Sequence, residues 1–245
     1  GTFTDIYGID TQNKLYTAKV PTTPEDLTIG VENAMNKAGV DVSKVDHIIH
    51  GTTVATNTLI QRSYYGWFPR VVLVTTEGFR DTMEIGRFHR KTLYDPYQEK
   101  AKPLIERRYR LVVPEKINAK GEVIKDLDSQ KADELAKRIR DIKADAVAVC
   151  FINSYVDPRH ELKMREIMKR YVPESRIALS CETRPKIREL GRVCTTAMRA
   201  ILLPIMDAYL NELEKKLSEH GFGGKLFIIK SNGGMMTAEV ARNAP

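Results

Sequence analysis

Hydrophobic and polar positions repeat along the chain with two different periods, and the two periods alternate. Short apolar or period-two runs predict strands, and apolar residues at every third to fourth position predict helices. The predicted strands cover residues 6–10, 15–20, 45–50, 71–74, 146–152, 177–180 and 226–230. The predicted helices cover residues 24–38, 54–62, 80–86, 129–143, 158–172 and 187–220, the last of them bent or broken at Pro204.

Strands that alternate with helices predict an α/β fold. The first two strands form a hairpin, which makes the first sheet mixed. We assign residues 1–182 to one lobe and residues 183–245 to the start of a second, because one long helix and one strand cannot complete a sheet. A domain rarely begins at the inner turn of its first hairpin, so we also expect further chain before Gly1. The incomplete second lobe leads us to expect further chain beyond Pro245 as well.

Capping signals define two of the helix starts. Thr23 is predicted as the N-cap of the first helix, with Pro24 at the first helical position, and Gly39 is predicted to end this helix. Asp128 is predicted to cap the helix that follows a hairpin over residues 107–127.

The composition is that of an ordinary globular protein. Hydrophobic residues make up 42% of the 245 residues and charged residues 29%, and no apolar run approaches the roughly 20 residues that span a membrane. The cysteines Cys150, Cys181 and Cys194 lack CxxC spacing, so we expect reduced thiols in a cytoplasmic protein.

The formal net charge of +7 has four possible explanations. Much of the excess lies in residues 87–110, which form a solvated surface, a subunit contact or a region that attracts anionic substrates. Nucleic-acid binding is the weakest of the explanations for the charge, and we expect no nucleic-acid or membrane partner.

The opening residues have the chemistry of a phosphate-binding hairpin. Gly1 allows the backbone to approach an anion, and Thr2 and Thr4 carry hydroxyl donors. Asp5 can hold a Mg²⁺-bound water. An ordinary polar turn before a strand is the alternative.

Three further loops follow apolar strands and contain glycine, threonine or asparagine. They comprise residues 50–57, 75–81 and 231–234, and each is predicted to lead into a helix. Ligands of open α/β sheets bind at the carboxyl ends of strands, where helix N-termini attract anions. Together with residues 1–5, these loops predict a cleft for phosphate and substrate.

Several single residues leave alternatives open. His50 is either a general acid, base or oxyanion donor, or a histidine that is structural or positions substrate. Glu189 and Arg192, three positions apart, lie either at a solvated helix end or in the cleft. The histidine spacing supports no transition-metal site, and no Walker A, GxGxxG or GxSxG sequence is present.

In combination, the motifs resemble one family. They are GTFTD, HGTTVATNTLIQR, VLVTTEGFRDTMEIGR, RRYRLVVPEKINAKGEVIKDLD, ELGRVCTTAMRAILLP and IIKSNGGMM. The chain resembles the N-methylhydantoinase A/5-oxoprolinase family, which includes ATP-dependent acetone and acetophenone carboxylase subunits. This resemblance implies an ATPase lobe like those of actin, Hsp70 and sugar kinases, and phosphorylation of a carbonyl or enolate oxygen by ATP with Mg²⁺.

The resemblance also implies roles for individual residues. The catalytic residues would be Asp5, which also holds Mg²⁺ through water, and His50. The residues that bind ATP would be Gly1, Thr2, Thr4, Gly233 and Gly234. The residues that line the substrate cleft would be Gly51, Thr52, Thr53, Asn57, Arg80, Asp81, Glu84, Arg87, Ser231 and Asn232.

The resemblance leaves the substrate and the assembly open. The substrate is a cyclic amide or a ketone, and companion subunits in a hetero-oligomer are expected. The family's Asp-x-Gly before Gly1, its second phosphate motif and its adenosine loop are not in these 245 residues. A non-catalytic scaffold or regulatory subunit is therefore the alternative to an enzyme.

Overall fold

The structure is a computed structural model that describes residues 2–23, 25–87, 92, 94–98, 102–243 and 245. Its strands are β1 (Phe3–Ile9), β2 (Leu15–Pro21), β3 (His47–His50), β4 (Val71–Thr76), β5 (Arg110–Val113), β6 (Lys116–Ile117), β7 (Val123–Lys125), β8 (Ala146–Cys150), β9 (Ile177–Leu179), β10 (Lys225–Ile229) and β11 (Met235–Thr237). Its helices are α1 (Leu27–Ala38), α2 (Val54–Gln61), α3 (Thr82–Ile85), α4 (Ser129–Asp141), α5 (Arg159–Met168), α6 (Ser180–Thr183), α7 (Glu189–Glu219) and α8 (Ala238–Asn243). The predicted α/β class is confirmed.

The chain forms two compact units. The first comprises residues 1–68 and 205–245, and the second comprises residues 69–204. The predicted lobe boundary between residues 182 and 183 lies inside the second unit. The compact units do not test where one ATPase lobe ends and the next begins, so the lobe boundary stays a prediction.

The first unit contains two small sheets. β1 and β2 pair antiparallel as a sheet of their own, so the mixed first sheet was the wrong assignment for this hairpin. The mixed sheet is instead β11-β10-β3, in which β10 runs parallel to β3 and antiparallel to β11. The late strand that was expected to begin another sheet thus pairs with an early strand.

The start of α1 differs from the prediction. Asp26, and not Thr23, is the N-cap, since its carboxylate accepts a hydrogen bond from the backbone N–H of Thr28 over 2.8 Å. The predicted end of the helix is confirmed, because Gly39 adopts the left-handed conformation with φ of 69°. Met35 of α1 packs with Leu213 and Leu217 of α7 in the core of this unit.

The second unit is built on a parallel sheet with the order β5-β4-β8-β9. The hairpin predicted over residues 107–127 is only partly correct. Its turn and its arms β6 and β7 are present, but β5 pairs in parallel with β4. The strand side chains pack against the apolar faces of α4 and α5, which supply Ala136, Ile139 and Met164 to the core.

Helix α7 continues through Pro204, so the predicted alternatives narrow to a bend without a break. The proline removes one backbone donor from the helix interior, and the residues on both sides nevertheless keep helical structure. By length and composition α7 could cross a membrane, but 67% of its most apolar stretch is buried within the protein. Such burial is typical of a core helix.

Candidate functional site

Two of the predicted loops leave the same edge of the mixed sheet in the first unit. The parallel register aligns Ile228 of β10 with His50 of β3, so both strands end at the same level. A Cβ added at Gly51 would lie 3.6 Å from Cδ1 of Ile229, which shows how close the strand ends are. The carboxyl-edge placement expected for a ligand site is therefore present for residues 50–53 and 231–234.

His50 is half-buried at the end of β3 and has a defined partner. Its Nε2 lies 2.7 Å from the hydroxyl of Tyr209, and the two rings are 5.8 Å apart between centroids. Burial lowers the pKa of His50 to about 4. The imidazole is therefore uncharged at neutral pH and is held in place by Tyr209.

Tyr209 is a residue that the sequence analysis missed. It lies on α7 and is only 3% exposed. Burial raises the pKa of its hydroxyl to about 12, and the neighbouring Thr52 hydroxyl acts to lower this pKa. One signal in the sequence could have indicated Tyr209. Residues 205, 209, 213 and 217 lie four positions apart on one buried face of α7, and Tyr209 is the one polar side chain among the aliphatic Ile205, Leu213 and Leu217.

The loop after His50 leads into α2 as predicted. The backbone N–H of Val54 donates to the hydroxyl of Thr52 over 3.3 Å. The side-chain amide of Asn57 donates to the hydroxyl of Thr53 over 3.1 Å. These bonds order the first turn of the helix next to His50.

The loop at residues 231–234 is a hairpin turn into β11, and the helix predicted after it is present as α8, which begins one short strand later at Ala238. Gly233 has φ of 83°, a left-handed conformation that favours glycine. The N–H of Gly233 donates to the carbonyl of Lys230 over 2.9 Å, and the N–H of Gly234 donates to Oδ1 of Asn232 over 3.1 Å. Both glycine amides that were predicted to bind phosphate are thus used inside the turn.

The opening hairpin separates its predicted phosphate ligands. Thr4 packs toward α1, since a Cβ at Gly30 would lie 2.9 Å from the Thr4 hydroxyl oxygen. Asp5, on the opposite face, has 64% of its side chain exposed and lies 3.3 Å from Nζ of Lys19. Thr2 is exposed at the start of the hairpin, and Gly1 lies outside the described residues.

Among the described residues, no hydrogen bond or ion pair joins Asp5 to the loops at residues 50–53 or 231–234. Gly51 and Thr53 are exposed on the first of these loops, and Ser231 and Asn232 are exposed on the second. The structure therefore brings two of the predicted motifs together, and it leaves Asp5 apart from them.

Three of the four predicted cleft residues of the second unit, Arg80, Asp81 and Glu84, are engaged in ion pairs. Asp81 accepts two hydrogen bonds from Arg107, at 3.0 and 3.2 Å, and these hold the pKa of Asp81 below its usual value. Glu84 accepts a hydrogen bond from the buried Arg110 over 3.0 Å. Arg80 lies 3.7 Å from Asp81, and Arg87 is exposed.

Arg192 is fully buried, so neither position considered for it, a solvated helix end or a cleft with Glu189, is observed. Its Nη2 donates to the hydroxyls of Ser154 and Ser180 and lies 3.8 Å from the carboxylate of Glu161. Glu161 also accepts the N–H of Phe151 over 2.8 Å. This cluster, which links the ends of β8 and β9 to α5 and α7, is structural.

Metal-binding clusters of three or more His, Cys, Asp or Glu side chains are absent from the part of the chain that the structure describes. The three cysteines are free, as expected. Residues 88–91, 93 and 99–101 of the basic stretch lie outside the described residues, and whether this stretch is a subunit contact or plain surface stays open.

Comparison with known proteins decides the family. The hydantoinase/oxoprolinase N-terminal region matches residues 1–172, and the hydantoinase/oxoprolinase domain matches residues 192–245. The chain belongs to the hydantoinase/oxoprolinase family. The resemblance inferred from the motifs is confirmed.

Individual relatives of this hydantoinase/oxoprolinase-family chain differ in their reactions. It is 37% identical to an uncharacterized protein of Methanocaldococcus jannaschii, covering 100% of this chain and 36% of the relative. It is 34% identical to the acetophenone carboxylase gamma subunit of Aromatoleum aromaticum, and the match covers 96% of this chain and 34% of that subunit. The chain spans about a third of the length of these relatives.

A solved structure supports the fold. The ATP-dependent caprolactamase of Pseudomonas jessenii superposes with a TM-score of 0.82 at 28% identity, covering 97% of this chain and 35% of that protein. The family's members thus include a carboxylase subunit and an amidohydrolase, which is consistent with an enzyme of this general kind.

Proposed function

We propose that the chain is part of an enzyme that uses ATP and Mg²⁺ to phosphorylate a carbonyl or enolate oxygen of a small substrate. The substrate is a cyclic amide or a ketone. The fold that we propose for this activity is an ATPase lobe of the actin, Hsp70 and sugar-kinase type. We further propose that the chain works with companion chains in a hetero-oligomer in the cytoplasm.

The observation that carries this proposal is the shared edge of β3 and β10. Two loops rich in glycine, threonine and asparagine leave this edge side by side, and α2 begins directly behind one of them. Helix starts and small polar loops at such an edge suit anionic ligands. The names of the relatives, an ATP-dependent caprolactamase and an acetophenone carboxylase subunit, support both substrate classes.

The described residues fit ATP and Mg²⁺ in part. Asp5 is an exposed carboxylate that suits a Mg²⁺-bound water, and Thr2 offers an exposed hydroxyl. The amides of Gly233 and Gly234 fit less well, because their hydrogen bonds inside the turn would have to be exchanged for bonds to phosphate. Bound ATP would supply the phosphoryl group.

In this proposal the chain's own residues orient the substrate oxygen and stabilise charge. His50 is half-buried and neutral at neutral pH, so it suits hydrogen bonding to an oxygen better than holding a permanent positive charge. Arg80, Asp81, Glu84 and Arg87 remain proposed cleft residues.

The test is ATP turnover by the natively purified assembly with two substrate sets, ketones with bicarbonate and cyclic amides. Turnover that depends on either set supports the proposal. ATP turnover that no substrate of either set stimulates would contradict it.

A scaffold or regulatory role is the second candidate, and the occupied glycine amides favour it. A scaffold predicts that an assembly carrying Asp5→Asn and His50→Gln substitutions in this chain keeps its full substrate-dependent turnover. An enzyme predicts that this doubly substituted assembly loses substrate-dependent turnover.

A further inference from the structure

We propose that three arginines of the second unit, Arg80, Arg107 and Arg110, form a binding site for a carboxylate-type anion. Asp81 is the built-in occupant of this arginine site, and the ligand displaces its side chain. The ligand class comprises carboxylates and bicarbonate, which share a planar O–C–O group. Arg107 and Arg110 were not among the predicted cleft residues.

The three guanidinium groups converge on one oxygen atom. Nε of Arg107 donates to Oδ1 of Asp81 over 3.0 Å. Nε of Arg80 lies 3.7 Å from the same oxygen, and Nη1 of Arg110 lies 3.8 Å from it. The last two distances are longer than a hydrogen bond. Oδ1 of Asp81 therefore receives a hydrogen bond from one arginine and is too far away to accept from the other two.

Two of these nitrogen atoms, Nε of Arg80 and Nη1 of Arg110, are buried and lack an acceptor in the part of the chain that the structure describes. Buried donors in native proteins are normally paired. The side chain of Arg110 is only 1% exposed. It is anchored on two sides, because its Nε donates to the carbonyl of Ile105 over 2.9 Å and its Nη2 donates to Glu84 over 3.0 Å. The remaining donor, Nη1, is thus held facing Asp81.

Asp81 does not act as an aspartate at a helix start usually does. It occupies the N-cap position of α3, all of whose residues are described, but its carboxylate makes no capping hydrogen bond. Its two oxygens instead accept from Nε and Nη2 of Arg107 at 3.0 and 3.2 Å, the fork geometry in which arginine binds a planar carboxylate. A free carboxylate or bicarbonate has the same planar group without the tether to the chain. It can therefore come within hydrogen-bond distance of Arg80 and Arg110 as well.

The charge and the exposure of the arginine site suit an incoming anion. Its three arginines carry one positive charge more than Asp81 and Glu84, the carboxylates that pair with them among the described residues. The side chains at the surface of the site are partly exposed, whereas Arg110 is buried. A buried cation attracts an anion more strongly than an exposed one, because water screens its charge less.

The role of the ligand as a reactant rests on the proposed function. Bicarbonate would be the co-substrate of a ketone carboxylase, and a carboxylate group would belong to a cyclic amide that carries one. Binding at the arginine site does not depend on turnover and can be measured without ATP.

The experiment is a titration of the ¹⁵N-labelled full-length chain at constant ionic strength, followed by the NMR signals of its arginine Nε–H groups. The added anions are acetate, bicarbonate, phosphate and chloride in separate series. Acetate is the probe for a substrate carboxylate, and bicarbonate is the probe for the co-substrate. Acetate, bicarbonate or both should shift the signals of Arg80 and Arg107 saturably, and the tighter of the two identifies the source of the ligand. Phosphate should bind more weakly, and chloride should not saturate.

Three variants separate a binding site from a structural ion-pair network. Arg80→Gln removes one unsatisfied donor at the partly exposed side of the site and should weaken binding roughly tenfold. Arg108→Gln is the matched control, since Arg108 pairs with Glu106 at 2.8 Å, and its affinity should equal that of the wild type. Asp81→Ala removes the built-in occupant, so binding should tighten roughly tenfold. A structural network predicts no such gain.

The absence of saturable shifts with acetate and bicarbonate, in the wild type and in Asp81→Ala, would overturn the proposal. Phosphate binding tighter than both probes, or equal affinities in Arg80→Gln and Arg108→Gln, would overturn it too. An unchanged affinity in Asp81→Ala would contradict the role of Asp81 as occupant. If Asp81→Ala does not fold, Asp81→Asn keeps the shape, removes the charge and should tighten binding in the same direction.

Failure of the arginine site and failure of the proposed function give different results. Without anion binding, substrate-dependent ATP turnover by the native assembly can still be observed. Saturable anion binding in a chain whose assembly shows no substrate-dependent turnover would support the arginine site and contradict the proposed function alone.

Discussion

Gly224 lies directly against the backbone of Asp46. A Cβ at Gly224 would come within 3.0 Å of the carbonyl oxygens of both Val45 and Asp46, and the Asp46 carbonyl accepts the N–H of Lys225 over 2.8 Å. This contact sets the start of the β3–β10 pair, and the far end of that pair carries the candidate site.

Gly224→Ala should therefore destabilise the first unit by about 1–3 kcal/mol, because the clash is with backbone atoms that cannot rotate away. Gly223→Ala is the matched control, since a Cβ there meets no atom within 4 Å. Urea unfolding followed by fluorescence of Trp67, the chain's one tryptophan, reports on this unit. Equal midpoints for the two variants would show that the β3–β10 contact is looser than described.

The buried cluster around Arg192 predicts a large loss of stability in the second unit. Arg192→Leu leaves the fully buried Glu161 without its cationic neighbour, which typically costs about 3–5 kcal/mol. Hydrogen exchange at the amides of β8 measures the effect. Arg170→Leu, which removes an exposed partner of Asp133, is the control and should change protection little. Unchanged exchange in Arg192→Leu would contradict the structural role of the cluster.

His50 predicts a dependence of stability on pH. Its pKa is about 4 when folded and 6.5 in the reference state, so the unfolded chain binds more protons between these values. The contribution of the neutral ring to the free energy of unfolding is therefore fully present above pH 6.5, and it is lost as the pH falls toward 4. The loss is at most roughly 3 kcal/mol.

The measurement compares wild type with His50→Gln by urea unfolding at pH 7 and pH 4. The wild type should lose more stability on acidification than the variant, because glutamine does not titrate. Parallel losses in both proteins would mean that His50 titrates normally in the folded state.

Asp5→Asn tests the proposed metal role apart from folding. The exposed pair with Lys19 contributes little to stability, so the variant should unfold like the wild type while substrate-dependent ATP turnover is abolished. Asp46→Asn, a second exposed carboxylate of the same unit, is the control and should keep its turnover. Retained turnover in Asp5→Asn would remove Asp5 from the mechanism.

The sequence predicted each strand and helix whose side chains show a clear period. Local signals also predicted the end of α1 at Gly39 and the cap of α4 at Asp128, whose carboxylate accepts the N–H of Lys131 over 3.1 Å. These features depend on neighbouring residues only. For that reason, they can be predicted from a short window.

Features that depend on distant residues were wrong or missed. The pairing of β10 with β3 joins segments about 180 residues apart, and nothing local to Ser231 distinguishes a hairpin turn from a helix start. Burial of Arg192 depends on Ser154, Ser180 and Glu161, which lie on other elements. The partner of His50 was missed for the same reason, since Tyr209 lies 159 residues away.

The most direct test of the proposed function is ATP hydrolysis by the native assembly with and without substrate. Ketones with bicarbonate form one set, and cyclic amides such as hydantoins, 5-oxoproline and lactams form the other. The account predicts turnover that one set stimulates and that Asp5→Asn abolishes. Turnover that is independent of both sets, or that survives Asp5→Asn and His50→Gln together, would contradict it.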